Sequence, residues 1–307
     1  MAQAQQGILE PVPAQARHLF FGLAPGAPPA AVRVAVLALA QSVNGRDVVA
    51  GIGSPLAAAL GVALPGLRAF PAMRTAGTDA IDVPATQSAL WCWVRGAGSN
   101  PISADAGDVL HAGRRLEKIL APAFRLDAAL EVFRHGSGRD LTGYEDGTEN
   151  PQGDDADAAA IVHDAGAGLD GASFAAFQQW QHDFQSFDAM PAEAQDNAVG
   201  RRRHDNEELE DAPESAHVKR TAQESFDPEA FVVRRSMPWV EGARAGLAFL
   251  AFGKTLDAFE VQMRRMAGLD DGIVDALFRF SRPVSGAYFW CPPVRNGHLN
   301  VSRLDLL

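Results

Sequence analysis

Apolar residues along this chain follow two periods, and the switches between them mark out its elements. Arg17–Leu23 (RHLFFGL), Asp47–Ile52 (DVVAGI) and Leu90–Arg95 (LWCWVR) are short, rich in β-branched and aromatic residues, and predict strands. Pro29–Ser42 sets alanine and valine at helical spacing behind an opening proline, and Leu56–Leu60 reads as a short helix. Asp105–Leu120 starts acidic and places Val109, Leu110, Leu116, Ile119 and Leu120 on one face, the pattern of an amphipathic helix. Leu126–Arg134 closes this half as a strand. Strand, helix, strand, strand, helix, strand is the order of a ferredoxin-like unit.

The second half repeats the plan. Ser173–Phe184 alternates apolar and polar residues as a strand does, and Pro191–Gly200 runs from proline to glycine like a short helix. Glu229–Arg235 and Ala245–Phe252 predict strands, and Leu256–Ala267 predicts a helix with Phe259, Met263 and Met266 on one face. Ala287–Cys291 is the last strand. Asp154–Asp170 shows neither period and is expected to be a long connecting loop, with residues 1–16 a partly ordered lead-in. The expected fold is α+β: two ferredoxin-like domains, 1–140 and 141–307, with antiparallel sheets and helices on the sheet faces.

Composition narrows the partners. The 307 residues are 47% hydrophobic, enough for a large core, and 307 is the length of two ordinary domains. A formal charge of −11 disfavours nucleic acid and anionic membrane, which need clustered positive charge. The one basic run, Arg201–Arg203, is followed at once by the acidic stretch Asp205–Asp211, and reads as a solvated helix end or an interface. Cys92 and Cys291 sit in LWCWV and YFWCPP and are expected to be buried, with no zinc or c-type haem spacing. The first residues lack the basic start and apolar run of a secretory signal, and no apolar run approaches roughly 18 residues. A cytoplasmic chain is expected.

The richest chemistry lies at mid-chain, in Leu141–Pro151 (LTGYEDGTENP), where Gly143 and Gly147 flank Asp146. Alone, this is a tight turn. Far downstream come Ala216–Thr221 (AHVKRT) and Val232–Trp239 (VVRRSMPW). An acid, a histidine and an arginine so far apart can meet only around a shared ligand.

Taken together, GYEDGTENP, SAHVKRT and RRSMPW resemble the dye-decolourising peroxidases, a haem family, in its class B branch. SFAAFQQWQHD and PAEAQDNAVGRRRHDNEELED between them fit the same pattern, and the resemblance runs from about Arg17 to Pro292. It implies a dimeric α+β barrel type of fold, haem b (iron protoporphyrin IX), hydrogen peroxide and a small organic reductant as substrates, and a homo-oligomer. It also implies His217 as the iron ligand, the other seven histidines being alternatives, with His135 (FRHGSGRD) the nearest rival.

Heterolysis of peroxide needs a group that takes a proton from one oxygen and returns it to the other. It also needs fixed positive charge against the developing anion. The resemblance assigns these roles to Asp146 and Arg234. Arg235 is the alternative to Arg234, and in a strand only one of two neighbours faces a given side. Ser236 stands where relatives carry Asn or Ser, beside bound peroxide. Arg220 is matched to a haem propionate, or equally to a salt bridge. Glu145, Gly147, Thr148, Glu149 and Asn150 are expected along the haem edge, largely through backbone. Where relatives place an acid behind the ligand histidine this chain has Arg279, which leaves Asp270 and Asp275 as candidates. Among five Trp and two Tyr, Trp180 and Trp239 are candidate electron relays or simply core. Two other readings stay open: a haem carrier or iron-recovery protein with little turnover, and a ferredoxin-like module with no cofactor.

Overall fold

A computed structural model describes residues 2–76, 80–95, 105–121 and 123–306. Ten strands form one antiparallel sheet: β1 (Gln15–Leu23), β2 (Val48–Ile52), β3 (Leu90–Val94), β4 (Phe124–Phe133), β5 (Ser173–His182), β6 (Val233–Arg234), β7 (Met237–Glu241), β8 (Arg244–Gly253), β9 (Ser281–Pro283) and β10 (Ala287–Cys291). Their order is β4-β1-β3-β2-β10-β5-β8-β6, with β9 paired to β5 and β7 to β8. The helices are α1 (Pro29–Ser42), α2 (Ser54–Leu60), α3 (Ala106–Leu120), α4 (Gly153–Ala160), α5 (Phe184–Asp188), α6 (Ala192–Val199), α7 (His217–Arg220) and α8 (Asp257–Met266). This is the expected α+β class. The first-half strands and the second-half strands meet where β2 pairs β10, with Ile52 opposite Trp290.

Period-two alternation gives the sheet two apolar faces. In β3, Trp91 and Trp93 join one buried cluster, and Leu90, Cys92 and Val94 join another. The first cluster draws Val49, Leu130, Phe177, Leu250, Phe252 and Phe289 from both halves, and β4 packs against β7, so the sheet curls around a shared inner core. His18 is enclosed there, stacked with Trp91 and Trp93, and burial pushes its pKa down to about 3. The outer face takes the helices, through Val36, Leu39, Leu116, Phe259 and Met263. Cys92 and Cys291 are buried free thiols, as expected.

Two expectations fail. The stretch from Asp154 is not all loop: α4 forms there, with Asp154 and Asp155 in its first turn, where carboxylates oppose the helix dipole favourably. Its small apolar side, Ala156, Ala159 and Ala160, is buried in the inner core. The lead-in is also firmly held. Gln5 is fully buried, accepts from the Ala50 N–H (2.8 Å), and donates to the Ala50 (2.8 Å) and Pro292 (3.0 Å) carbonyls. Among the described residues, no helix is long and apolar enough to cross a membrane.

Candidate active site

On the outer face of the second half, β5 turns Gln178, Trp180 and His182 toward α8, and β8 adds Leu247 and Phe249. Phe259, Met263 and Met266 of α8 face them across a mainly apolar hollow. That lining suits an apolar ligand with a few polar contacts.

The loop 141–151 forms one rim. Its base is Asp140, whose Oδ2 accepts from the Thr142 N–H (2.9 Å) and hydroxyl (2.5 Å). Gly143 (φ +93°) and Gly147 (φ +79°) take left-handed backbone that costs other residues strain. At Gly147 a Cβ would stand 2.7 Å from Asn150 Nδ2, so glycine here makes room for the asparagine. Asn150 in turn exchanges two hydrogen bonds with the backbone of Arg234.

The loop and β6 thus present Asp146 and Arg234 together, with Arg234 Nη1 3.4 Å from Asp146 Oδ1 and each side chain about a fifth exposed. Arg235 turns the other way and donates to the carbonyls of Ile8 (2.9 Å) and Leu9 (2.7 Å). Burial, with Arg95 nearby, lowers its pKa to about 10. The chain thus turns Arg234, and not Arg235, toward the hollow.

His217 opens α7 and borders the same hollow. Its Nδ1 lies 2.8 Å from Oδ2 of Asp275, whose carboxylate is fully buried and whose Oδ1 accepts from the Leu277 N–H (2.8 Å). A neutral imidazole donating from Nδ1 to this carboxylate keeps its lone pair on Nε2. Nε2 makes no hydrogen bond among the described residues. Asp275, and not Asp270, therefore backs the histidine; Asp270 pairs with Arg264 instead.

The other matched residues divide. Glu145 borders the hollow and accepts from Arg139 and Ser137. Thr148 and Glu149 line a neighbouring hollow that shares Asp146, His217 and Arg234 with the first, while Gly147 shapes the turn without bordering either. Arg220 does not face the ligand space. It is buried, with its two terminal nitrogens bound to Asp271 (2.8 and 2.7 Å) and one of them also to the Arg265 carbonyl (2.7 Å), while Nε is buried without a partner. Arg201 lines the neighbouring hollow instead, held by Glu149 (2.6 Å) and Glu208 (2.9 Å). The basic run is therefore not wholly solvated, since its first member points inward. Ser236 also departs from expectation: β6 ends at Arg234, and the Ser236 hydroxyl is buried without a partner and outside the hollow's lining.

Among the rival histidines, His135 is exposed and outside the hollow. His182 borders it, but Nδ1 meets Ser281 (2.7 Å) and Nε2 meets Asp140 (2.9 Å), which leaves no free lone pair. Trp239 belongs to the inner core, and Trp180 forms part of the wall. No group of three or more His, Cys, Asp or Glu is placed to hold a bare metal ion among the described residues. A lone free imidazole nitrogen over an apolar hollow fits a metal that arrives inside a larger apolar group.

Comparison with known proteins decides the family. The C-terminal model of the Dyp-type peroxidases matches residues 137–296, just over half of the 307. The chain belongs to the Dyp-type peroxidase family. It is 29% identical over 216 residues to the dye-decolorizing peroxidase of Mycolicibacterium paratuberculosis, covering 62% of this chain and 61% of that protein. It is 31% identical over 189 residues to that of Mycobacterium tuberculosis, covering 60% and 56%. The chain thus spans about three fifths of the curated relatives it matches. Solved structures share the fold over almost the full length. A dyp-type peroxidase protein from Shewanella oneidensis gives a TM-score of 0.85 at 23% identity, with 100% of this chain and 98% of that one covered. A DypB variant from Rhodococcus jostii, solved with heme, gives 0.78 at 24%, with 93% and 94% covered.

Proposed function

We propose that the chain is a haem-dependent peroxidase that reduces hydrogen peroxide and draws electrons from small organic donors such as dyes and phenols. One observation carries this reading: Asp146, Arg234 and the Asp275-backed His217 border a single apolar hollow. His217 would hold haem b through its free nitrogen, and the haem, when bound, would supply the iron chemistry that cleaves peroxide.

Every other contribution comes from the chain. Asp146 takes the proton from one peroxide oxygen and returns it to the other. Arg234 presents a fixed positive charge, aimed where negative charge develops. Asp275 holds the Nδ1 proton and so raises the donor strength of Nε2. Trp180, Phe249, Phe259, Met263 and Met266 keep water from the interior. Arg201 in the neighbouring hollow would take the place expected for Arg220 as partner to a haem carboxylate.

A haem carrier needs the ligand histidine, but it has no use for an acid–arginine pair fixed beside the ligand space. The heme found in the rhodococcal protein supports the cofactor assignment. Assembly into a homo-oligomer is part of the same reading, as the family resemblance implies.

The test is a spectrum. Purified chain titrated with haem should develop a Soret band that shifts on adding peroxide, and phenol should restore it. His217→Ala should lose the band and His135→Ala should keep it. The reverse pattern, or a band indifferent to peroxide, would sink the proposal.

A further inference from the structure

Asp146 sits on a lax support. Its loop carries two left-handed glycines, Gly143 and Gly147, and glycine loses more conformational freedom on ordering than any other residue. The exit of the loop is fixed by the exchange between Asn150 and Arg234. The entry is fixed differently. The Asp146 N–H donates to the Gly138 carbonyl (3.1 Å), the Asp140 N–H donates to the Tyr144 carbonyl (2.8 Å), and Arg139 bridges Glu145 between them. The backbone of Asp146 is thus carried on the strip 138–140. That strip reaches the sheet through the side chain of Asp140, whose Oδ1 lies 2.9 Å from Nε2 of His182 at the end of β5.

Resting on the peroxidase reading, we infer that His182 is a positioning residue for the peroxide step. It holds the loop entry to β5 and so keeps the Asp146 carboxylate where a peroxide proton can be taken and returned.

The ring is placed to hold and not to react. A neutral imidazole that donates from Nε2 to Asp140 accepts at Nδ1 from the Ser281 hydroxyl (2.7 Å), so neither nitrogen is free for iron or peroxide. Ser281 stands opposite His182 in the β5–β9 pairing, which braces the ring from the sheet itself. On the other side, Asp140 Oδ2 accepts from both the N–H and the hydroxyl of Thr142. Sheet, serine, imidazole, carboxylate and turn form one unbroken run of hydrogen bonds. The His182 and Asp140 side chains are 6% and 13% exposed, so water does not readily take over their bond as it does for a surface pair.

The other ties of this loop do not do the same work. The Tyr144 hydroxyl bonds Asp196 of α6, and Arg139 donates to the Arg203 carbonyl (3.3 Å). Both hold the outer side of the loop to a helix or to another loop. His182 instead refers Asp146 to the sheet that carries Arg234, two strands away through β8. For an acid and an arginine that act on one small molecule, a shared frame matters, because a displacement of about 1 Å can cost 10²-fold in rate.

The experiment uses the full chain with two substitutions. His182→Phe keeps the ring volume and loses both hydrogen bonds, and His182→Gln keeps an amide N–H for Asp140. With haem bound, stopped-flow mixing with peroxide should show His182→Phe slowed about 10²-fold and His182→Gln restored to within a few-fold of wild type. Placed on an Asp146→Asn background, His182→Phe should cost no more than about twofold, since a residue that acts through Asp146 then has nothing left to position. Equal slowing on both backgrounds would reveal a general structural role and overturn the inference. Without haem, exchange of the Asp146 amide hydrogen, followed by nuclear magnetic resonance, should be about tenfold faster in His182→Phe and near wild type in His182→Gln. Unchanged exchange overturns the inference even if His182→Phe takes up no haem. A wild-type Soret band that ignores peroxide overturns the peroxidase reading and the role of the brace in it, whereas a normal response with unchanged exchange overturns the inference alone.

Discussion

Asn150 and Arg234 are joined twice: the Arg234 N–H donates to Asn150 Oδ1 at 2.7 Å, and Asn150 Nδ2 donates to the Arg234 carbonyl at 3.0 Å. One side-chain amide thus acts as a strand neighbour for β6, which ends the sheet order. It fastens the loop that carries Asp146 to the strand that carries Arg234. The pairing of these two side chains is a property of that clasp as much as of their own charges.

Asn150→Ala should therefore be costly. It strands a backbone donor and acceptor, each worth about 1–3 kcal/mol when left unmet in the interior. Urea denaturation should show a loss in that range, with Asn150→Asp, which keeps only the acceptor, between Ala and wild type. A variant that unfolds at the wild-type midpoint would show that water replaces the clasp.

Arg234→Leu is expected to slow the first reaction with peroxide more than Asp146→Asn does. Loss of a general base costs ~10²–10⁴ in rate and loss of a charge-stabilising donor about 10²–10³, so the ranges overlap. Water can carry a proton in place of a carboxylate, whereas nothing in solvent replaces a fixed guanidinium. Stopped-flow mixing of each haem-loaded variant with excess peroxide gives the order, and a near-normal Arg234→Leu would refute it.

Asp275→Asn keeps the shape behind His217 but removes the negative acceptor. Haem affinity should fall roughly 10–100-fold, the usual effect of losing such an outer partner, and the reduction potential should rise. Haem transfer and spectroelectrochemistry measure the two separately. An unchanged potential would mean that the carboxylate only orients the ring.

Asp140 should govern part of the acid stability. Burial alone would raise its pKa, but hydrogen bonds from His182 and Thr142 outweigh burial and hold it below the ordinary 3.8. A carboxyl depressed in the folded state contributes fully above its unfolded pKa and loses that contribution as pH falls through the folded value. Stability should therefore drop below about pH 4, with up to ~1.4 kcal/mol per pH unit from this one proton. Asp140→Asn should show a shallower acid limb. Parallel limbs for variant and wild type would exclude Asp140 as the cause.

Sequence pattern revealed most of the scaffold, because helices such as α1 and α3 and strands such as β3 and β10 declare themselves by period. It failed where local signals conflict with packing. Alanine-rich α4 has little apolar contrast, and β7 contains Pro238, which weakens any strand reading although an edge position tolerates it. In the site, the family resemblance pointed to Asp146, Arg234 and His217, which the fold brings to one hollow. The direction in which a long side chain turns was not legible. Arg220 folds back onto Asp271, Arg201 turns inward from a run that looks solvated, and Asp275 stands four residues before the expected Arg279.

The single pairing of Ile52 with Trp290 has a practical meaning for anyone who would trim the protein. Every residue proposed for the chemistry lies after position 139, which suggests a portable catalytic half. Yet that half ends its sheet at Ala287–Cys291, all five residues buried, and the other half ends at the equally buried Val48–Ile52. Cut apart, each would offer a long apolar edge with free backbone groups, the template on which chains stack into fibrils. Gln5 rivets the same seam from the far end of the chain. The half without the chemistry is the other's protection against aggregation.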